Sequence, residues 1–248
     1  MERVLCFSAS DEFKKRLECI NGITLFTADN PEDLAQRAVG DPALACVVIH
    51  VPEADDFWTG FLRSLCATLP LLTLLLVLDG GAMPEPGGRV EVIRGRPLDN
   101  EVFSWIEAHV FSASKREKRK HQRFDWPLTG RLDFGERNAG VFHVREISAD
   151  GAFLECGETP PKPGLSGTIR IEFEDFSVMS GCSILPMRQA TSKLPAGFGV
   201  QFTDLTEWSR KVIDRIVTSE LVLQLLNPGH APHPPTIESP PLETHESD

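Results

Sequence analysis

Two uninterrupted apolar runs in the first part of the chain constrain its fold most. They read ACVVIHV at residues 45–51 and LLTLLLVL at residues 71–78. Neither run approaches the roughly 20 apolar residues that a helix needs to cross a bilayer. A short strand that is apolar on both faces is typical of a parallel sheet covered by helices on both sides. The runs therefore predict a layered α/β domain rather than a membrane segment.

The segments around these runs follow the same pattern. Residues 1–110 alternate short apolar runs with stretches of helical periodicity, and they predict five β/α repeats. One helix is expected to have Asn30 as its N-cap and Pro31 at its first position, and another is expected to have Asp11 as its cap. We therefore predict a doubly wound N-terminal domain with a five-stranded parallel sheet over residues 1–112.

The sequence pattern changes after residue 113. Runs of alternating polar and apolar residues follow, separated at short intervals by glycine and proline, and they are typical of antiparallel strands in a barrel or sandwich. A helical stripe that begins near Trp208 comes next. We predict a β-domain with a C-terminal helix over residues 125–226, and a disordered tail rich in proline, glutamate and histidine over residues 227–248.

Charge is unevenly distributed along the chain. The formal net charge is −11, yet six of the ten residues of KREKRKHQRF, at 115–124, are Lys or Arg. We treat residues 113–124 as a basic linker arm between the two domains. The acidic balance argues against a general nucleic-acid binder, which needs a broad basic surface. A transcriptional regulator that places the basic run on DNA is kept as an alternative.

Residues that carry catalysis or bind metals form no recognisable motif. None of the six cysteines belongs to a C-x-x-C pair, and the sequence has no H-E-x-x-H, P-loop or nucleophile-elbow serine. We therefore expect no enzyme activity, no catalytic residue, no metal site and buried, reduced thiols. No signal peptide is predicted at the start of the chain, so we expect a cytoplasmic protein without a membrane span.

Three short motifs follow one another through the second half of the chain. They are R-x-x-x-R at Arg119 and Arg123, E-x-S-x-x-G at Glu146, Ser148 and Gly151, and GFGVQF at residues 197–202. This order resembles the PilZ domain family over residues 114–226. PilZ domains are bacterial receptors for cyclic di-GMP, and they fold as a six-stranded β-barrel with a C-terminal helix.

The resemblance implies a role for each motif residue. Arg119 and Arg123 match the two arginines that clamp the ligand from a flexible arm, and guanidinium groups bind phosphates bidentately and stack on purines. Ser148 and Gly151 match the family's serine and glycine, which lie on the barrel surface and face a guanine. Glu146 stands where the family has Asp or Asn, so the carboxylate is kept but its reach differs by one methylene.

Two further basic residues lie just before the arginine motif. Lys118 is expected to add positive charge near the phosphates, and Arg116 to reach the second ligand of a stacked pair. The resemblance implies a cyclic di-GMP receptor that relays its signal through domain rearrangement and contacts with protein partners. Motility, exopolysaccharide secretion and biofilm formation are among the outputs of such receptors. The alternative is a ligand-free docking or scaffold protein.

The N-terminal domain resembles the receiver domain of response regulators. The resemblance rests on the five repeats, the length and Arg96-Pro97, where receivers have Lys-Pro. Receivers place acids after the first and third strands for Mg²⁺ and phosphoryl transfer. This chain has Ser8-Ala9-Ser10 and His50 there, so we expect a domain that is not phosphorylated and serves docking or homodimer formation. Phosphorylation on Asp55 or Asp56 is the alternative.

Overall fold

The protein consists of an α/β unit and a β-barrel unit, which confirms the predicted fold class. The computed structural model describes residues 1–70, 72–81, 90–94, 100–113, 126, 128–135, 140–156, 160–173, 176–191 and 195–227. Several residues singled out in the sequence lie outside these ranges, namely Arg96, Pro97, Arg116, Lys118, Arg119 and Arg123. The segment boundaries predicted at residues 112, 124 and 226 stay predictions.

The N-terminal unit is built on a five-stranded parallel sheet with the strand order β2-β1-β3-β4-β5. Its elements in chain order are β1 (Glu2–Ser8), α1 (Asp11–Glu18), β2 (Ile23–Ala28), α2 (Pro31–Gly40), β3 (Leu44–Val51), α3 (Asp56–Thr68), β4 (Thr73–Leu78), β5 (Val90–Arg94) and α4 (Asn100–Ala113). The strand order reverses between β1 and β3, which is where α/β sheets of this kind bind ligands. Residues 82–89, between β4 and β5, lie outside the described ranges.

Helix starts in this unit follow the capping residues of the sequence. Asn30 caps α2, with its side-chain oxygen 2.8 Å from the backbone N–H nitrogen of Asp33, and Pro31 begins the helix, as predicted. The prediction that Asp11 caps α1 is wrong. Ser10 is the N-cap, because its hydroxyl accepts the backbone N–H of Phe13, and Asp11 is the first helical residue.

The core of this unit lies on both faces of the central strands. All eight residues of β3 are buried, as the uninterrupted apolar run predicts. Phe13 and Leu17 of α1 lie in one buried cluster with strand residues that include Cys6 and Cys46. Burial raises the pKa of both thiols to about 12, so Cys6 and Cys46 are protonated at neutral pH.

The second unit contains a closed barrel in which every strand pair is antiparallel. Its strands are β6 (Leu128–Asp133), β7 (Gly140–Ser148), β8 (Gly151–Glu155), β9 (Ser166–Glu172), β10 (Ser177–Arg188) and β11 (Gly197–Phe202), and the strand order is β10-β11-β8-β7-β6-β9. Helix α5 (Glu207–Leu226) follows β11 in the chain. Strict alternation of buried and exposed residues along β6 shows that apolar side chains fill the barrel interior.

The helices of the described segments contain no stretch long and apolar enough to cross a bilayer.

Candidate functional site in the barrel

A groove of about 520 Å³ lies on the outer surface of the barrel. It crosses β7, β8, β11 and β10, which are neighbours in the closed sheet. Its lining residues are Glu146, Ser148, Asp150, Gly151, Ala152, Phe153, Leu185, Pro186, Met187, Arg188, Gly199, Val200 and Gln201. The E-x-S-x-x-G motif and the glycine-containing strand, which are far apart in sequence, therefore meet at one surface.

An irregularity in β7 turns two motif residues towards this groove. Val144 pairs with Leu154, but the next pair joins Glu146 to Phe153, so Arg145 is an extra residue on its strand. Such a bulge shifts the alternation of side chains by one position. Val144 and Ile147 are consequently buried, whereas Glu146 and Ser148 both line the groove. Without the bulge, Glu146 would point to the same side of the strand as Val144.

Ser148 holds the turn between β7 and β8 as well as lining the groove. Its hydroxyl donates to the carbonyl oxygen of Gly151 across 3.3 Å and accepts the backbone N–H of Asp150 across 3.4 Å. The side chain is buried, with 6% of its surface exposed. Both distances are long for hydrogen bonds.

Glycines allow the floor of the groove to be formed by backbone. A Cβ atom at Gly151 would lie 2.1 Å from the carbonyl oxygen of Val200, which is far inside van der Waals contact. A Cβ at Gly197 would lie 2.2 Å from the carbonyl oxygen of Leu154 and 2.8 Å from the Phe153 ring. Glycine in both motifs is thus required by the close approach of β8 and β11.

The opposite wall of the groove comes from the end of β10. Register in the β10–β11 ladder shifts between Ile184 and Met187, and Pro186 in this interval has no N–H to donate. Leu185 is 41% exposed here, and its side chain lies over Gly199, where a Cβ would approach it to 3.0 Å. The wall is therefore apolar over most of its length and ends at Arg188.

The charged residues of the groove are Glu146, Asp150 and Arg188. The side chain of Arg188 is exposed and makes no hydrogen bond or ion pair with another of the described residues. Asp150 accepts a hydrogen bond from Arg210 of α5, with 2.9 Å between Oδ1 and Nη1. The groove thus offers a carboxylate for N–H donors on one wall and one cation on the other.

The carboxyl ends of the parallel strands carry a second group of polar residues, in the N-terminal unit. The Oγ atom of Ser8, at the end of β1, lies 2.7 Å from Nδ1 of His50 in β3. Nε2 of the same ring lies 3.0 Å from Oδ1 of Asp79, just after β4. An ionised carboxylate can only accept, so Nε2 carries the hydrogen and Nδ1 accepts the Ser8 hydroxyl.

Three of the predicted site residues lie together in the structure, and their role in ligand binding stays a prediction. Glu146, Ser148 and Gly151, which the sequence predicts as ligand contacts, lie together in the groove. Arg119, Arg123, Arg116 and Lys118 lie outside the described residues, so their part in a site stays a prediction. No group of three or more His, Cys, Asp or Glu is placed to hold a metal ion within the described ranges.

Several residues in and around the groove were not predicted from the sequence. Asp150 occupies a variable position of the E-x-S-x-x-G motif, and Met187 and Arg188 have no motif around them. Arg210, beside the groove, reaches the β7–β8 turn from 60 residues away. One sequence signal was available for the bulge. In V-R-E-I, at residues 144–147, two polar residues separate the apolar ones, whereas a regular strand has one.

Comparison with known families gives one match. Residues 117–219 match the model of the PilZ domain family. The match covers the arginine motif, the groove and the first part of α5, and it indicates no catalytic family. The search of curated proteins returned no match to this sequence.

Solved structures that are similar to part of this chain include proteins of Bacillus subtilis and Escherichia coli. The inhibitor of motility MotI/DgrA of Bacillus subtilis shares 11% identity over 45% of this chain and 56% of its own, with a TM-score of 0.39. The PilZ domain of YcgR from Escherichia coli, solved with c-di-GMP, shares 13% identity over 42% of this chain and 91% of its own, with a TM-score of 0.35. This chain thus spans just over half of the Bacillus protein.

Proposed function

We propose that this chain, whose residues 117–219 form a PilZ domain, is a non-enzymatic receptor for cyclic di-GMP. The observation that supports the proposal most directly is the groove, because Glu146, Ser148 and Gly151 line it together. Its volume of about 520 Å³ falls in the range of small-molecule sites. The PilZ family consists of cyclic di-GMP receptors, and the structure of YcgR from Escherichia coli contains that ligand.

One guanine base of the ligand would lie on the floor of the groove. Gly151 and Gly199 present backbone there, so a planar ring can approach closely. The carboxylate of Glu146 is suited to accept from the N–H groups on the guanine edge. Leu185 and Met187 provide apolar contact for the ring from the opposite wall.

The phosphates of the ligand would be bound by the basic arm. Arg119 and Arg123 each carry a guanidinium fork that matches phosphate oxygens and stacks on purine rings. Cyclic di-GMP carries two negative charges and would lie beside the Glu146 carboxylate, so it needs such cations. Arg210 does not supply this charge, because it already pairs with Asp150. Lys118 is proposed to add charge near the phosphates, and Arg116 to contact a second, stacked ligand.

Signal relay is proposed to follow from capture of the ligand by an arm that lies between the two domains. Ligand binding by the arm would rearrange the two domains and change their contacts with a protein partner. The second candidate function is a docking or scaffold protein whose barrel binds no ligand. Glu146, in place of the family's Asp or Asn, is the observation that favours this second candidate.

Isothermal titration calorimetry of the full chain with cyclic di-GMP tests the proposal. We expect binding by the wild type, and a loss of at least about 100-fold in affinity for Arg119→Ala/Arg123→Ala, because two charge-assisted contacts are removed. Lys115→Ala/Lys120→Ala is the matched control, since it removes the same charge from the same arm and keeps both motif arginines. GTP controls for general nucleotide binding, and the stoichiometry of Arg116→Ala tests the second-ligand role.

The two candidate functions give different results in this experiment. Equal losses in the two double variants would mean that the arm acts only through its net charge, and the assigned roles of Arg119 and Arg123 would be wrong. If the wild type itself does not bind cyclic di-GMP, the receptor proposal fails and the docking protein becomes the better account.

A further inference from the structure

Helix α5 is tied to the ligand-binding motif by one side chain. Arg210 donates from Nη1 to the carbonyl oxygen of Ala149 across 3.1 Å and to Oδ1 of Asp150 across 2.9 Å. Ala149 and Asp150 form the turn between Ser148 and Gly151, so the contact falls inside the E-x-S-x-x-G motif.

This turn is held from three directions. Ser148 bonds to it from within, through the long contacts to Asp150 N–H and the Gly151 carbonyl. The backbone N–H of Phe202, at the end of β11, donates to the Asp150 carbonyl across 2.9 Å. Arg210 supplies the third set of bonds, which includes an ion pair with Asp150. Ala149 is almost fully buried, so its carbonyl would lose its Arg210 partner if α5 moved away.

The position of Arg210 on the helix is itself fixed. Thr206 caps α5, because its Oγ1 accepts the backbone N–H of Ser209 across 3.1 Å, and the carbonyl oxygen of Thr206 accepts the N–H of Arg210 across 2.9 Å. The guanidinium therefore stands one turn into the helix. A shift of α5 along or away from the barrel surface would break both bonds to the turn.

We propose that Arg210 is a positioning residue that couples occupancy of the groove to the docking of α5 on the barrel. The inference rests on the proposed function, since it takes cyclic di-GMP as the ligand. A ligand that contacts Ser148, Gly151 and the groove-lining Asp150 selects the turn conformation that Arg210 holds. Coupling free energies are reciprocal, so a helix that favours the bound turn must in turn be stabilised by the ligand.

The experiment combines affinity with amide hydrogen exchange in the full chain. Calorimetry with cyclic di-GMP should show about five- to tenfold weaker binding by Arg210→Ala than by the wild type. Exchange in peptides covering residues 207–217 should slow by a similar factor when the wild type is saturated with ligand. In saturated Arg210→Ala this slowing should be lost, which a purely structural role for Arg210 would not produce.

Two further variants keep the experiment decisive. Lys211→Ala removes a neighbouring cation whose ion pair with Glu207 is solvent-exposed, and it should behave as the wild type in both measurements. Arg210→Lys keeps the charge but has one nitrogen in place of the guanidinium fork, so its affinity should lie between those of Arg210→Ala and the wild type. If Arg210→Ala does not fold, Arg210→Lys takes its place in the comparison with the wild type.

The outcomes separate this inference from the proposed function. If the wild type binds cyclic di-GMP but exchange in α5 does not respond, or Arg210→Ala binds equally well, the coupling is refuted and the receptor remains. If the wild type does not bind cyclic di-GMP, both are refuted.

Discussion

At the scale of single residues, the motif was predictable but its geometry was not. The sequence places Glu146, Ser148 and Gly151 at the junction of two strands, and they lie there. The bulge at Arg145 that turns Glu146 outwards depends on the partner strand, because a register shift is a property of a pair of strands. Single-sequence alternation therefore cannot fix which side of the barrel Glu146 faces.

Gly151 has a packing role that can be measured apart from ligand binding. We expect Gly151→Ala to lower the free energy of unfolding by about 2–3 kcal/mol, because its Cβ would lie 2.1 Å from the Val200 carbonyl oxygen and two strands would have to separate. Equilibrium urea unfolding of the full chain gives this value. The groove floor should be distorted as well, so cyclic di-GMP binding should weaken in the same variant.

Gly40→Ala provides the comparison for the Gly151 substitution. Gly40 is the last residue of α2, and a Cβ there would have no neighbour within 4 Å, so alanine should be neutral or slightly stabilising. If Gly151→Ala and Gly40→Ala have equal free energies of unfolding, β8 and β11 can move apart at less cost than the structure indicates. Glycine at position 151 would then be explained by the ligand alone.

At the scale of elements, hydrogen bonds join side chains at the carboxyl ends of three strands of the N-terminal unit. In the sequence, Ser8 and His50 are separate departures from the receiver pattern, and Asp79 directly follows the apolar run at residues 71–78. The structure joins them, with contacts of 2.7 and 3.0 Å over sequence separations of 42 and 29 residues. The repeats predicted the five-stranded parallel sheet, but the contacts depend on distances that only the folded sheet defines.

The hydrogen bonds that join Ser8, His50 and Asp79 should contribute to the stability of the N-terminal unit. Ser8→Ala would leave His50 Nδ1 and the Ser10 backbone N–H, which donates to Ser8 Oγ across 3.0 Å, without their partner. We expect the free energy of unfolding to fall by about 1–3 kcal/mol, because Ser8 and His50 are buried and water cannot easily replace the hydroxyl. Urea unfolding of the full chain measures the change.

A second serine controls for the substitution at Ser8. Ser64 lies in α3, and its side chain makes no hydrogen bond with another of the described residues, so Ser64→Ala should be neutral or slightly stabilising through helix propensity. Equal stabilities for Ser8→Ala and Ser64→Ala would show that the Ser8–His50 contact contributes nothing net. The chain of three side chains would then be incidental to the fold.

At the scale of the whole molecule, the sequence distinguished the two units because their periodicities differ. Continuous apolar strands such as β3 require helices on both faces, whereas the alternation along β6 suits a barrel with a filled interior. The same reasoning could not identify α5 as a partner of the motif turn. Arg210 is one of many arginines, and only the tertiary fold places it beside Ala149 and Asp150.

The two units differ in the signal that each could receive, which is a bound nucleotide for the barrel and phosphorylation for the N-terminal unit. The barrel carries the groove proposed for cyclic di-GMP, while the sheet has Ser8 and His50 at the positions where receivers carry acids. Asp55 caps α3 by accepting the Trp58 backbone N–H across 3.0 Å, and Asp56 is the first residue of that helix. Neither carboxylate takes the place of His50 at the end of β3.

We therefore expect no phosphorylation when the full chain is incubated with acetyl phosphate and Mg²⁺. Intact mass spectrometry checks this, with Asp55→Asn/Asp56→Asn as the comparison variant. A gain of one phosphoryl group by the wild type but not by the variant would contradict the prediction, and the N-terminal unit would be a second input beside the groove. An unchanged mass would leave the groove as the proposed input, with the N-terminal unit available for docking or for pairing with a second copy.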